Sequence, residues 1–263
     1  MNILFIGDVM GKPGRQAVHK ILPEVCREED IEFVIANGEN VAGGKGITRD
    51  VAGELFHAGV DVLTGGNHSW QNRQGLQVIS EERKVLRPAN YPDLDEVPGR
   101  GFRVYNTPSG YKMGVINLQG RVFMPPIDCP FQSVSEILKT MKTETSNILV
   151  DFHAEATSEK IAMGWFLDGK VSVLIGTHTH VQTADERILP QGTAYLTDAG
   201  MTGAHDGVIG VQRELVLKTM LTRLPIRHKL ASGEVRMNGA IIRLDPLSGK
   251  ALSIKRFTQS VNP

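Results

Sequence analysis

Two cysteines in 263 residues, Cys26 and Cys129, are too few for a disulfide framework, and their spacing fits no zinc motif. They read as reduced thiols of a cytoplasmic protein. Aromatic residues are scarce at 6%, and charge of one sign is missing, because 29 Lys and Arg balance 29 Asp and Glu. Without a net field the chain is not steered towards a long polyanion such as duplex nucleic acid, and only a local basic patch is left for that purpose. No apolar stretch approaches the roughly 20 residues that span a bilayer, so no membrane partner is expected. The first apolar run, Asn2–Ile6, has no basic segment before it and is soon interrupted by Asp8, which predicts a first strand and not a signal peptide. Internal repeats, low-complexity tracts and clear linkers are also lacking, and residues 1–263 are read as one domain.

What is present is an alternation of short apolar runs with amphipathic stretches, the pattern of an α/β fold. It predicts strands at Asn2–Ile6, Phe33–Ala36, Val60–Thr64, Met113–Asn117, Asn147–Phe152, Val171–Ile175 and Thr193–Thr197. Helices are expected at Arg15–Arg27, Arg49–Ala58 after a Thr48 N-cap, Val134–Lys142 and Gln212–Thr222. Gly239–Leu244 and Ala251–Arg256, joined by the turn at 245–250, read as a hairpin. Arg87–Arg103, rich in Pro and Gly, reads as an ordered surface connection.

The informative residues follow the strands. Asp8, Asn37-Gly38-Glu39-Asn40, Asn67-His68, His153 and His178-Thr179-His180 each sit just past or at the end of an apolar run. Ligands of open α/β sheets bind at the carboxyl ends of strands, so these endings should converge on one pocket. Carboxylate, amide and imidazole without thiolate form a ligand set for manganese, iron or zinc. Taken singly, each ending has an ordinary structural reading: Asp8 as a turn former, His153 as a core histidine, His178 and His180 as one side of a half-buried strand. His19, His57 and His228 read as structural or solvated, and His205 is left open. Gly7–Pro13 lacks the spacing and hydroxyl of a nucleotide phosphate loop. Gly43-Gly44-Lys45-Gly46 reads as a flexible turn before a helix, with a phosphate cradle of backbone amides as the alternative.

The blocks Gly7-Asp8, Gly66-Asn67-His68, His153 and Gly176–His180 resemble the signature of calcineurin-like metallophosphoesterases. With Asn37–Asn40, Asn117–Arg121, Asp151–Lys160 and Thr197–Gly203, the chain resembles the bacterial YmdB-like phosphodiesterases, from Asn2 to about Phe257. Met10 and Glu39 stand where the wider superfamily has a histidine and a bridging aspartate, and the YmdB-like branch shares both changes. The resemblance implies a four-layer α-β-β-α sandwich, two packed mixed sheets flanked by helices. It implies two divalent metal ions (Fe, Mn or Zn), one held by Asp8, Glu39, Asn40 and His180 and one by Glu39, Asn67, His153 and His178. The implied substrates are 2′,3′-cyclic or 3′,5′-cyclic nucleotides.

On that reading a hydroxide bridging the metals attacks phosphorus, and His68 protonates the leaving oxygen. Arg121 is a candidate phosphate clamp, with a surface salt bridge as its plain alternative. Asp151 shares the strand parity of His153 and is expected to orient it. The alternatives are a metal-dependent phosphatase or nucleotidase, and an RNA-acting regulatory protein. An RNA-related partner and a homo-oligomer stay open.

Overall fold

The computed structural model describes residues 1–92 and 94–261. Asp93, inside the expected surface connection, and the last two residues of the 1–263 range lie outside the described residues. The chain opens with β1 (Asn2–Ile6), β2 (Asp8–Val9), α1 (Gly11–Glu28), β3 (Ile31–Asn37), α2 (Arg49–His57), β4 (Val62–Thr64) and α3 (Arg73–Glu81). It continues with β5 (Phe102–Asn106), β6 (Lys112–Gln119), α4 (Pro130–Met141), β7 (Ile148–His153), α5 (Thr157–Leu167) and β8 (Val173–Thr177). Then come β9 (Arg187–Ile188), β10 (Ala194–Leu196), β11 (Met201–Ala204), α6 (Arg213–Thr222), β12 (Val235–Leu244) and β13 (Ala251–Ser260). No helix among the described residues is long and apolar enough to cross a membrane.

The strands form two mixed sheets. One runs β2-β11-β12-β1-β3-β4, with β13 also paired to β12; the other runs β5-β6-β7-β8-β10-β9. In the first sheet the parallel run β1–β3–β4 forms one end and is joined through antiparallel β12 to the parallel pair β11–β2; in the second the parallel run β6–β7–β8–β10 forms the centre, with antiparallel β5 and β9 at its sides. Alternation within β1 shows how the layers arise. Ile3 and Phe5 face a core shared with Phe33, Ile35, Val115, Leu149, Val173 and Ile175, which joins the two sheets. Leu4 and Ile6 face the other way, onto Ala17, Val18, Ile21 and Leu22 of α1 and Leu55 of α2. On the far side of the second sheet, Ile116, Val150 and Leu174 pack against Val134, Leu138 and Met141 of α4 and Met163 and Leu167 of α5. Strands buried on both faces read as continuous apolar runs, which is why the central ones were legible. The result is the expected four-layer sandwich.

Thr48 caps α2, its hydroxyl accepting from the Val51 amide. Helices α3 and α5 and strands β2, β5, β9 and β11 were not expected. In α5 the polar pattern is inverted: Glu159 and Lys160 are buried while Trp165 is 54% exposed, so amphipathic periodicity fails. The surface connection needs correction at its start, since Arg87 and Asn90 are buried and Leu86 bridges to Arg100. Cys26 and Cys129 are free.

Phe5 lies wholly inside the layer that fixes one sheet on the other. Phe5→Ala should lower unfolding free energy by about 3–5 kcal/mol, read from urea midpoints at unchanged slope.

Candidate metal centre

Every expected ligand emerges at the carboxyl end of a parallel strand: Asp8 beyond β1, Glu39 and Asn40 beyond β3, Asn67 beyond β4, His153 at the end of β7, and His178 and His180 beyond β8. Both sheets contribute, and the two contributions touch. Glu39 Oε2 lies 3.2 Å from His153 Nε2, and Asp8 Oδ2 accepts from the His178 amide at 3.1 Å. Asn67 Oδ1 and His178 Nδ1 lie 3.0 and 3.1 Å from the same His153 nitrogen. Around the other carboxylate oxygen, Asn40 Nδ2 is 2.9 Å from Glu39 Oε1 and 3.2 Å from His180 Nε2, which is 3.7 Å from Asp8 Oδ1. Gly66 permits this crowding: a Cβ there would fall on Glu39 Oε2 and His153 Nε2.

The His178 and His180 arrangement differs from a strand face. Strand β8 ends at Thr177, and both histidines have left-handed backbones, φ 99° and 66°. Period-two alternation therefore does not aim them; a strained turn does. Asn67 and His68 likewise sit in a turn and not in extended chain. A buried ion pair holds the His178–His180 turn in place. Lys160 Nζ lies 2.7 Å from Asp198 Oδ2, both side chains are 1% exposed, and the same oxygen accepts from the Thr179 amide and hydroxyl. Asp198 Oδ1 accepts from the Gly200 amide. The role of this pair was not legible, because a lysine in a helix gives no sign of burial. Its partner stands 38 residues away.

Each histidine is anchored through one ring nitrogen and presents the other. Thr177 donates its only hydroxyl proton to Asp151 Oδ1 at 2.7 Å, so it accepts from His153 Nδ1 at 2.9 Å. His180 Nδ1 donates to the Ile209 carbonyl at 3.0 Å, and His178 Nε2 faces Glu155 at 3.2 Å. The inner atoms are then His153 Nε2, His178 Nδ1 and His180 Nε2, together with oxygens of Glu39, Asp8 and Asn67. Nearly all are acceptors. Burial works against charge on His153, yet Glu39, Asp8 and Asp151 hold its imidazolium up to about 9. Burial and then the neighbouring His153 push His178 down to about 3. Burial would raise Glu39, but His153 and His68 outweigh it and hold the carboxyl well below its usual range. Asp8 is raised by burial, and its Oδ1 is buried without a hydrogen-bond partner.

Such a surplus of acceptors over protons is what a divalent cation satisfies, and oxygen and imidazole donors suit one. Ligand atoms of Glu39, His153 and His178 lie within 4.8 Å of one another, which suits a shared ion. Asn40 Oδ1 now accepts from His68 Nδ1 at 2.7 Å. Ligation through that oxygen would require the amide turned by about 180°, towards His180 Nε2.

His68 lines a cavity of about 670 Å³ with Glu39, Asn40, His178 and His180. Asn40 orients it, since Ser69 turns back to hydrogen-bond with Gly66. Arg121 is not brought to this cavity. It lines a separate hollow with Val122 and Phe131, and its amide donates to Glu159. His19 and His57 border another hollow between α1 and α2, and His205 is directed at the Met201 carbonyl. His228, expected to be structural or solvated, stands on the wall of the cavity that His68 lines, with Arg227 and Lys229. The Gly43–Gly46 amides donate to Val41, Asn40, Ala42 and Glu39 carbonyls, so the loop is a closed turn with no amide left to cradle a phosphate.

Comparison with known proteins gives a consistent picture. The family described as YmdB-like protein matches residues 4–257. A Bacillus subtilis protein named 2′,3′-cyclic-nucleotide 2′-phosphodiesterase is 46% identical over 257 residues, covering 98% of this chain and 96% of that one. A crystal structure of a hypothetical protein from Thermus thermophilus superposes with TM-score 0.92 at 39% identity, covering 99% of both chains. A Mycoplasma pneumoniae structure described as a novel phosphatase does so with TM-score 0.92 at 31% identity, covering 99% of this chain and 93% of that one.

Two sets of substitutions test the supports of the site. Thr177→Val and Asp151→Asn should each lower divalent affinity about 10–100-fold in a metal titration, with unchanged affinity counting against the relay to His153. Lys160→Met should cost about 3–5 kcal/mol in urea unfolding, because the Asp198 carboxylate stays buried without its cation.

Proposed function

The chain belongs to the YmdB-like protein family, and from that premise we propose that it is a dinuclear-metal phosphodiesterase hydrolysing the 2′ ester of 2′,3′-cyclic nucleotides. The observation that carries the reading is the convergence of Glu39, His153 and His178 on one point, with Asn40 at the opposite oxygen of Glu39, His180 next to Asn40, and Asp8 next to His180. Asp8, Glu39, Asn40 and His180 would hold one cation, and Glu39, Asn67, His153 and His178 the other. Two such ions would neutralise phosphoryl oxygens and supply a nucleophile at neutral pH. The name of the Bacillus subtilis relative supports the choice of the cyclic diester and of its 2′ bond.

The protein's own residues supply position and protons. Thr177 with Asp151, the Ile209 carbonyl and Glu155 keep the three rings turned inward. His68, 23% exposed at the cavity, is the group available to the leaving oxygen. Water adds to phosphorus and leaves one of its protons on the new phosphate, the bond from phosphorus to O2′ breaks, O2′ takes the His68 proton, the other water proton passes by way of solvent to restore His68, and a 3′-phosphate remains. A general acid so placed is worth about 10²–10⁴ in rate.

His68→Ala should keep its divalent content and lose about 10²–10⁴ in kcat on 2′,3′-cyclic nucleotides. A nitrophenyl diester, whose leaving group needs no proton, should lose far less; equal losses on both would remove the acid role. Glu39→Gln should abolish turnover and divalent uptake together, measured by metal analysis and diesterase assay, whereas a protein that only binds nucleotide would keep its function.

A further inference from the structure

The cavity is graded in charge from floor to rim. At its floor Glu39 and Asn40 are 2% exposed. Towards solvent it is bounded by two segments far apart in sequence: the closed turn carrying Lys45, and the extended stretch carrying Arg227 and Lys229. They meet through Leu230, whose Cδ2 lies 3.3 Å from where a Gly44 Cβ would stand. Gln212 ties the second segment down, its amide donating to the Lys229 carbonyl at 3.0 Å. The rim is therefore built on anchored backbone.

All three cations are exposed. Among the described residues none of them is in an ion pair, whereas Arg15, Arg49, Arg213, Arg236, Lys255 and Arg256 each have a glutamate partner. Glu39 is the only carboxylate among the described residues lining the cavity, and it belongs to the floor. A cyclic nucleotide with a free 5′-hydroxyl carries a single negative charge, on the phosphate that goes to the floor. It leaves the rim with nothing to bind.

We propose that Lys45, Arg227 and Lys229 hold a second phosphate on the 5′ side of the reacting nucleotide, making the substrate class the 2′,3′-cyclic-phosphate end of a short oligoribonucleotide. This rests on the phosphodiesterase reading and narrows it. Among the described residues the lining carries Met10, Ile209, Val211 and Leu230 but no Phe, Tyr or Trp. Single strands bind mainly by stacking successive bases on such rings. The contact is thus with charge at the terminal step and not with a long strand, in keeping with the zero net charge of the whole chain.

The test compares kcat/KM for four substrates: a 2′,3′-cyclic nucleotide, the same with a 5′-phosphate, and a dinucleotide and a tetranucleotide ending in the cyclic phosphate. The second phosphate should raise kcat/KM about tenfold or more, as a charge-assisted contact does. That gain should weaken with salt, and the tetranucleotide should add nothing beyond the dinucleotide. In the surface triple variant Lys45→Ser/Arg227→Ser/Lys229→Ser the ratio of phosphorylated to unphosphorylated substrate should fall towards one. A ratio of one in the wild type, or one kept by the triple variant, would overturn the rim site. A gain with the 5′-phosphorylated mononucleotide but not the dinucleotide would overturn the oligonucleotide as its source. No hydrolysis of any of the four would instead sink the phosphodiesterase reading. The rim is then judged by competition binding of the same compounds, where equal affinity with and without the 5′-phosphate overturns it.

Discussion

The Glu39 carboxylate, buried between a histidine of one sheet and an asparagine of its own strand end, is the constraint around which the rest is arranged. Acceptors do not gather in a dry interior by preference, because each brings a desolvation cost and repels its neighbours. Here Asp8, Glu39, Asn67 and the inner nitrogens of His178 and His180 are gathered around the His153 ring, and Asp8 keeps an oxygen with no hydrogen-bond partner among the described residues. The surrounding structure supplies what holds them. Asp151 through Thr177, the Ile209 carbonyl and Glu155 fix the outer edges of the rings, so the rings cannot turn away to find donors elsewhere. A site that is costly without a cation is one that binds a cation well.

The two-sheet architecture makes that crowding attainable. One sheet delivers oxygen: Asp8, Glu39, Asn40 and Asn67. The other delivers imidazole: His153, His178 and His180. Neither half is a complete centre, and their relative placement is set by the apolar layer of Phe5, Ile35, Val115, Leu149 and Ile175 between the sheets. Packing at native density transmits small shifts, so the core acts on the site as a spacer as well as a source of stability. The Lys160–Asp198 pair does the same at finer scale, joining α5 to the strand-end loop and catching Thr179 between the two histidines. A buried ion pair is weak evidence of stability, but here it fixes a turn whose two histidines have left-handed backbones.

How much of this was legible follows from where each signal lies. Central strands announced themselves because both faces are buried, and the candidate ligand residues did so by falling at their ends; β1 and the Thr48 cap could be placed to the residue. The local geometry could not. His178 and His180 both reach the cavity from a turn with left-handed backbone, which residue alternation cannot express. Helix α5 was hidden by Lys160 and Glu159, polar residues turned inward for partners distant in sequence. The basic rim was hidden too: Lys45 reads as part of a glycine turn and His228, between Arg227 and Lys229, as structural or solvated, and only the fold brings the two segments together. Arg121 shows the converse, since a strand, a glycine and a guanidinium in sequence did not bring it to the cavity.

On the proposed reading, Asn40 would link ligand placement to proton delivery. Its amide touches Glu39 Oε1, His180 Nε2 and His68 Nδ1 at once. While Oδ1 faces His68, the Nδ1 proton of that ring is committed to it, and only the imidazolium has a second proton to give. Turning the amide so that Oδ1 faces His180 and a cation would point Nδ2 at His68 Nδ1, and with Glu39 Oε1, 3.2 Å from that nitrogen, committed to the cation, Nδ1 would be left to accept. The single proton of the neutral ring would pass to Nε2, the nitrogen with no protein partner among the described residues, on a side chain that lines the cavity. One side-chain rotation would thus complete the ligand set and arm the acid together. An aspartate in place of Asn40 could ligate equally well but has no N–H to offer His68, and that difference gives the amide at this position a physical reason.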